Sequence, residues 1–219
     1  MRLVIRPRPA IPSETLTVRP SPLVIRSRPL RVLDFDSECR PLHWIANDYV
    51  SKEITAIAWA WSDDPEHVTC KLLGEDDPVE MLRAFVGAFQ AADVVTGHFI
   101  LGHDLPLLNG ALMEHRLPVL PDAVAHDTKV HLVKRSGISA SQESLGSLLH
   151  LDEKKVQMNQ GKWREANRLT PEGRALARER VVGDVRQHIK MRRELLALNY
   201  LGPARMWRSG VGQVEQYQP

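Results

Sequence analysis

The stretch Arg31-Val32-Leu33-Asp34-Phe35-Asp36-Ser37-Glu38 sets acids at alternate positions of an otherwise apolar run. Such a run reads as a strand, and residues two apart on a strand project from the same face. Asp36 and Glu38 therefore point the same way, and Asp34 shares their face. Charged side chains within an apolar strand are costly unless they are paired or bound to a cation. Whatever fold takes up this segment has to answer its acids.

Two more carboxylates stand out in distant segments, Asp104 after Gly97-His98-Phe99-Ile100-Leu101-Gly102-His103, and Asp184 in Val182-Gly183-Asp184-Val185. Carboxylates gathered from separate segments suit Mg²⁺, which prefers oxygen ligands and keeps waters that a phosphate can displace. A pair of such ions can clamp both oxygens of an in-line phosphoryl displacement.

The pattern along the chain gives a place to each. Strands are expected at 31–37, 53–61 and 67–73, joined by short connections as an antiparallel meander, with Ile54 to Trp61 fit for a buried strand. Trp59 and Trp61 read as packing residues on it. Asp77-Pro78 opens a helix through about Gln90, with Met81, Leu82, Phe85 and Phe89 at helical spacing. Short strands follow at Val94-Val95-Thr96 and Val124-Ala125-His126, with a helix between them beginning at Asp104. The rest is mainly helical. Ser141 opens one segment, and Thr170-Pro171-Glu172 opens the last helix, which runs to about Asn199. The expectation is an α/β domain over 31–202: a mixed five-stranded sheet with helices on both faces. An arm at 1–30 and a tail at 203–219 flank it.

The arm is rich in Arg and Pro, and Leu3-Val4-Ile5-Arg6-Pro7-Arg8-Pro9 nearly recurs as Leu23-Val24-Ile25-Arg26-Ser27-Arg28-Pro29. Proline removes backbone donors, so the arm cannot be a central strand. It reads equally as a segment that binds nucleic acid or a partner and as a leader. The net charge of +2 hides a division. Residues 1–31 carry seven Arg against Glu14 alone, and 162–208 carry twelve basic against five acidic residues, whereas 32–161 hold ten basic and twenty acidic. Acidic ligands flanked by basic segments suit a phosphodiester substrate, although charge runs are also ordinary solvated faces. No apolar run is long enough to span a bilayer, and the N-terminus lacks the features of a signal peptide. Cys39 and Cys70 make no zinc motif and fit a reducing cytoplasm.

In their order and spacing, three segments resemble the DEDD family of 3′–5′ exonucleases, in a version associated with bacteriophage proteins. Phe35-Asp36-Ser37-Glu38 is similar to the family's first motif, Gly97 to Leu108 to its second, and Val182-Gly183-Asp184-Val185 to its third. Asp127-Thr128-Lys129, Ser144-Leu145 and Lys154-Lys155 before Trp163 follow its usual middle, so that the similarity covers roughly residues 31 to 200. The resemblance implies a ribonuclease H-like fold. It implies two Mg²⁺ or Mn²⁺ ions held by Asp36, Glu38, Asp104 and Asp184. Asp34 is the alternative first ligand, with Asp36 then replacing the Glu. The implied activity is hydrolysis of single-stranded or frayed DNA 3′ ends to nucleoside 5′-monophosphates in the cytoplasm, the host's if the chain is phage-encoded. A polymerase or replication protein is the implied partner.

The chain departs from the family at Phe99, where Asn is usual, and at His103, where Phe is usual. It also lacks the Tyr four residues, or the His five residues, before the last Asp; Arg180 and Glu179 stand there. His188, one turn after Asp184, is the candidate for a displaced base, with a plain helix-face residue as the alternative. Arg180 is a candidate for holding the scissile phosphate, or else a salt bridge. His98 and His103 are candidates for substrate contact, His98 also for shaping the turn. Lys154, Lys155 and Trp163 are candidates for holding the strand, Trp163 also for packing. The missing base keeps a second reading open, a nucleic-acid binding module with weak or no catalysis.

Overall fold

The computed structural model describes residues 28–42, 50–133, 136–153 and 156–210. Three strands come first, β1 (Val32–Pro41), β2 (Lys52–Trp61) and β3 (Asp64–Leu72), and they pair antiparallel. Helix α1 (Pro78–Ala91) crosses over to β4 (Val94–Gly97), which runs parallel to β1. Helix α2 (Asp104–Glu114) leads to β5 (Ala123–Asp127), parallel to β4. Helices α3 (Gln142–Leu148), α4 (Gln160–Asn167) and α5 (Pro171–Ala197) follow, and then β6 (Arg205–Trp207).

The sheet order is β3-β2-β1-β4-β5-β6. The α/β class, the mixed sheet and the helices on both faces are as expected and are compatible with a ribonuclease H-like fold. The strand number differs. The expected tail adds β6, which pairs antiparallel with β5 through Ala123↔Trp207 and Val124↔Met206. Three residues carry too little pattern for a strand to be read from sequence; partner pairing makes this one. The arm at 1–30 lies almost wholly outside the described residues, but Arg28 is inside them and pairs with Asp93 at 2.8 Å.

Alternation in β1 and β2 assigns the two faces. Leu33 and Phe35 join Ile57 and Trp59 against Met81, Leu82, Phe85 and Phe89 of α1 and Leu105, Leu108 and Leu112 of α2. The Phe85 ring sits 5.1 Å from Phe35 and 5.7 Å from Trp59, centroid to centroid. The other face of β2 is Ala56, Ala58 and Ala60, packed against Ala177, Val181, Val185 and Ile189 of α5. Methyl side chains let a long helix lie close to the sheet. Across β1, the same register sets Asp34 opposite Ala60, Asp36 opposite Ala58 and Glu38 opposite Ala56. The acids and the alanines thus share the face that α5 covers.

The N-terminal ends of α1 and α5 are specified locally. Asp77 accepts from the N–H groups of Val79 and Glu80, Thr170 accepts from Gly173, and a proline opens each helix.

Ala58→Leu should overfill the layer beneath α5 and cost about 1–3 kcal/mol. Calorimetry should show the unfolding midpoint falling by several degrees, while Met113→Ala at a position 82% exposed should leave it nearly unchanged.

Candidate metal centre

β1 delivers Asp36 and Glu38 on one face, and a register shift between Glu38 and Cys39 interrupts the pairing with β2 just beyond them, before it resumes at Cys39↔Ile54. Such bulges bend a strand and re-aim side chains. α5 lies over this face and brings Asp184, which is 2% exposed. One oxygen from each of Asp36, Glu38 and Asp184 lies within 4.8 Å of the others. Three hard oxygen donors at that separation, two from a strand and one from a helix, fit a divalent cation.

Asp104 stands beside this group and outside it. Its Oδ1 accepts from the Ser37 N–H at 3.1 Å and the Ser37 hydroxyl at 2.6 Å. Ser37 points to the opposite face from Asp36 and Glu38, so Asp104 meets β1 from the α2 side. Burial pushes its carboxyl up from the usual range, and the Ser37 hydroxyl pulls it partly back.

Arg180 lies one turn before Asp184 on α5. Its Nε is 3.2 Å from Glu38 Oε1, its Nη2 is 3.1 Å from Asp184 Oδ2, and its Nη1 donates to the Val156 carbonyl at 2.9 Å. The salt-bridge alternative is thus present, but inside the carboxylate group and with the side chain only 12% exposed.

His188 is 2% exposed, and its Nδ1 is 2.9 Å from Asp34 Oδ1. Arg192 Nε lies 3.4 Å from the same oxygen, and the Ser62 hydroxyl donates to the other. Arg192 also donates to that hydroxyl at 2.7 Å. His188 is therefore held on Asp34 in a buried network, not turned toward Asp184. Asp34, weighed as the alternative first ligand, is fully buried in the same network and lies outside the group of three.

Both ring nitrogens of His98 are engaged within the fold, Nδ1 with Thr128 Oγ1 at 3.0 Å and Nε2 with the Ala140 carbonyl at 2.9 Å. It shapes the turn. Burial lowers its pKa to about 4, with the nearby His188 adding to the effect. His103 is half-buried at the start of α2, and Trp163 is half-buried on α4. Lys154 and Lys155 lie outside the described residues, but both flanks of that pair dock on α5, Val156 through Arg180 and Glu153 through Gln187 Nε2 at 3.0 Å.

Several residues support the site in ways that the sequence does not show. Asp127, fully buried, accepts from the backbone N–H of Phe99, Leu101, Lys129 and Val130. It holds Phe99 at φ 69° in the loop before Asp104. Gln142 Nε2 donates to the Asp184 carbonyl at 2.8 Å and ties α3 to the turn of α5 that carries Asp184. Arg192 was legible in principle: Arg180, Asp184, His188 and Arg192 recur every four residues, one stripe of a helix.

The chain is similar in structure to the family B DNA polymerase from the hyperthermophilic archaeon Pyrobaculum calidifontis, with a TM-score of 0.60 and 21% sequence identity. The match covers 77% of this chain and 25% of the polymerase chain, so this chain spans about a quarter of that protein's length. At this identity the likeness is one of fold. No family model matches the chain, and no curated protein matches it. Among the described residues, no helix is long and apolar enough to cross a membrane.

The His98 pKa of about 4 lies below its ordinary 6.5, so in this window the unfolded chain binds the extra proton. The stability that neutral His98 contributes is complete above pH 6.5 and is lost as pH falls toward 4. His98→Gln should flatten the fall of the unfolding midpoint across this window, compared with the unchanged chain.

Proposed function

We propose that this chain is a divalent-metal-dependent nuclease that removes nucleotides from the 3′ ends of single-stranded or frayed DNA. The observation that carries the reading is the approach of one oxygen each of Asp36, Glu38 and Asp184 to within 4.8 Å beside a central strand. The polymerase-like fold and the three-motif resemblance support it. Mg²⁺ or Mn²⁺ is the ion such oxygen donors suit.

In the proposed reaction, water adds to the terminal phosphorus and the bond to the preceding 3′ oxygen breaks. The water proton is given up, the leaving oxygen gains one, and a nucleoside 5′-monophosphate departs. A bound divalent ion supplies charge for the oxygens that become more negative and lowers the pKa of a bound water. Asp36 and Glu38, fixed by the β1 backbone, and Asp184, fixed by α5, hold that ion. Arg180 stands where the family's water-orienting side chain would be. A guanidinium stays protonated and cannot accept a proton from water, so turnover is slow.

One observation favours a second reading, a nucleic-acid binding module with little or no catalysis: Arg180 already engages Glu38 and Asp184. Both readings require DNA binding that weakens steeply with salt. They part on metal-dependent turnover. A 5′-labelled single strand should shorten from its 3′ end with Mn²⁺, more slowly with Mg²⁺, and not at all with chelator. Asp36→Asn and Asp184→Asn should each slow the shortening by about a hundredfold or more. Binding without shortening, at high protein and long times, would establish the module instead.

A further inference from the structure

We propose that the outer side of α5 carries a second ligand site, in which Arg186 and Arg193 hold a small phosphate group, either inorganic phosphate or a phosphate monoester. The site shares no residue with the carboxylate group and does not depend on the reading of that group as a metal centre.

Arg186 follows Asp184 by two residues, and two residues turn an α-helix by more than half a circle. It therefore leaves the helix on the side away from β1. Arg186, Lys190 and Arg193 are spaced by four and three residues and share a face of α5. Pro65 and Glu66 of β3 approach this face from one side and Glu153 from the other, and together they enclose a cavity of about 220 Å³.

The three cations differ in what answers them. Lys190 Nζ is held by Asp152 at 2.9 Å and Glu153 at 3.0 Å. Arg193 is exposed, and its Nη2 donates to the Ser62 carbonyl at 2.6 Å, with no carboxylate partner among the described residues. Arg186 is half-buried, its Nε is buried without an acceptor, and its guanidinium joins no hydrogen bond or ion pair among the described residues. Arg174 and Arg192 also bury an unbonded Nε, but other nitrogens of theirs bond the Leu169 carbonyl and the Ser62 hydroxyl. A buried donor left unanswered is costly and calls for an acceptor.

The charges choose the ligand. Arg186, Lys190 and Arg193 stand against Glu66, Asp152 and Glu153, three against three, so the cavity has no net charge to draw a long polyanion. What it offers is unbonded guanidinium donors, whose planar fork matches the oxygens of one phosphate group. The cavity is also smaller than the usual pocket for a drug-sized ligand.

The test is a calorimetric titration of the full chain, in chelator and at fixed ionic strength, with three probes: sodium phosphate, thymidine 5′-monophosphate, and an oligothymidine without a terminal phosphate. The first two should bind once per chain. Arg186→Gln and Arg193→Gln should each weaken that binding about tenfold or more, and Glu66→Gln should tighten it. Thermal unfolding gives a second readout. Without phosphate, Arg186→Met should melt no lower than the unchanged chain, because the unanswered donor is gone. Phosphate should raise the midpoint of the unchanged chain and leave that of Arg186→Met in place. Phosphate binding that neither arginine substitution weakens would overturn the site, as would no binding of either small probe. Loss of affinity confined to the oligothymidine would make this face a strand contact and overturn the small ligand. A lower midpoint for Arg186→Met without phosphate would show that Arg186 is already satisfied within the fold and would overturn its role. With chelator present throughout, none of these outcomes bears on the carboxylate group.

Discussion

The acidic face of β1 is tolerable because α5 answers it. Asp34 and Glu38 lie four residues apart on the strand, roughly 13 Å at the rise of a β-strand. The residues that engage them, His188 and Arg180, lie eight apart on the helix, roughly 12 Å at the rise of an α-helix. The two repeats match, so a helix laid against the strand can meet both acids at once. The alanines of β2 let it come close, and Asp184, midway along the stripe, is thereby set over Asp36 and Glu38. The site is a by-product of the same contact that pairs the buried charges.

This explains why one helix carries so many polar residues that are also buried. Asp184, Gln187, His188 and Arg192 are all under 9% exposed on α5, interleaved with Val181, Val185 and Ile189. The apolar residues hold the helix to the alanine layer, and the polar ones fix its register along β1. An apolar layer alone would allow a slide by one turn. The ion pairs make such a slide costly, because each would leave a charge buried without its partner.

Much of this could be read from the sequence. The alternating acids of β1, the β-rich run of β2, the caps at Asp77 and Thr170 and the helix starting at Asp104 are local patterns, and local patterns survive in a linear reading. What was not legible depended on facing partners. Asp34 and Asp36 look alike in sequence, and only the placement of His188 and Arg192 separates them. Asp104 is expected as a fourth member of the group, and sequence does not show that Ser37, on the other face of β1, holds one of its carboxylate oxygens. β6 is three residues long and exists because β5 offers an edge. Arg180 is the sharpest case. The sequence marks it as the wrong residue for a general base, but not as a cation placed between two of the acids.

The central claim, a proposal, is that Asp36, Glu38 and Asp184 are ligands and that Asp34, held by His188, Arg192 and Ser62, serves the fold beside them. The most direct measurement is a crystal soaked in Mn²⁺ and recorded for anomalous scattering. The account predicts a peak in bonding contact with oxygens of Asp36, Glu38 and Asp184, with Asp34 still on His188. A peak centred on Asp34, or no peak among the three carboxylates at saturating Mn²⁺, would contradict it.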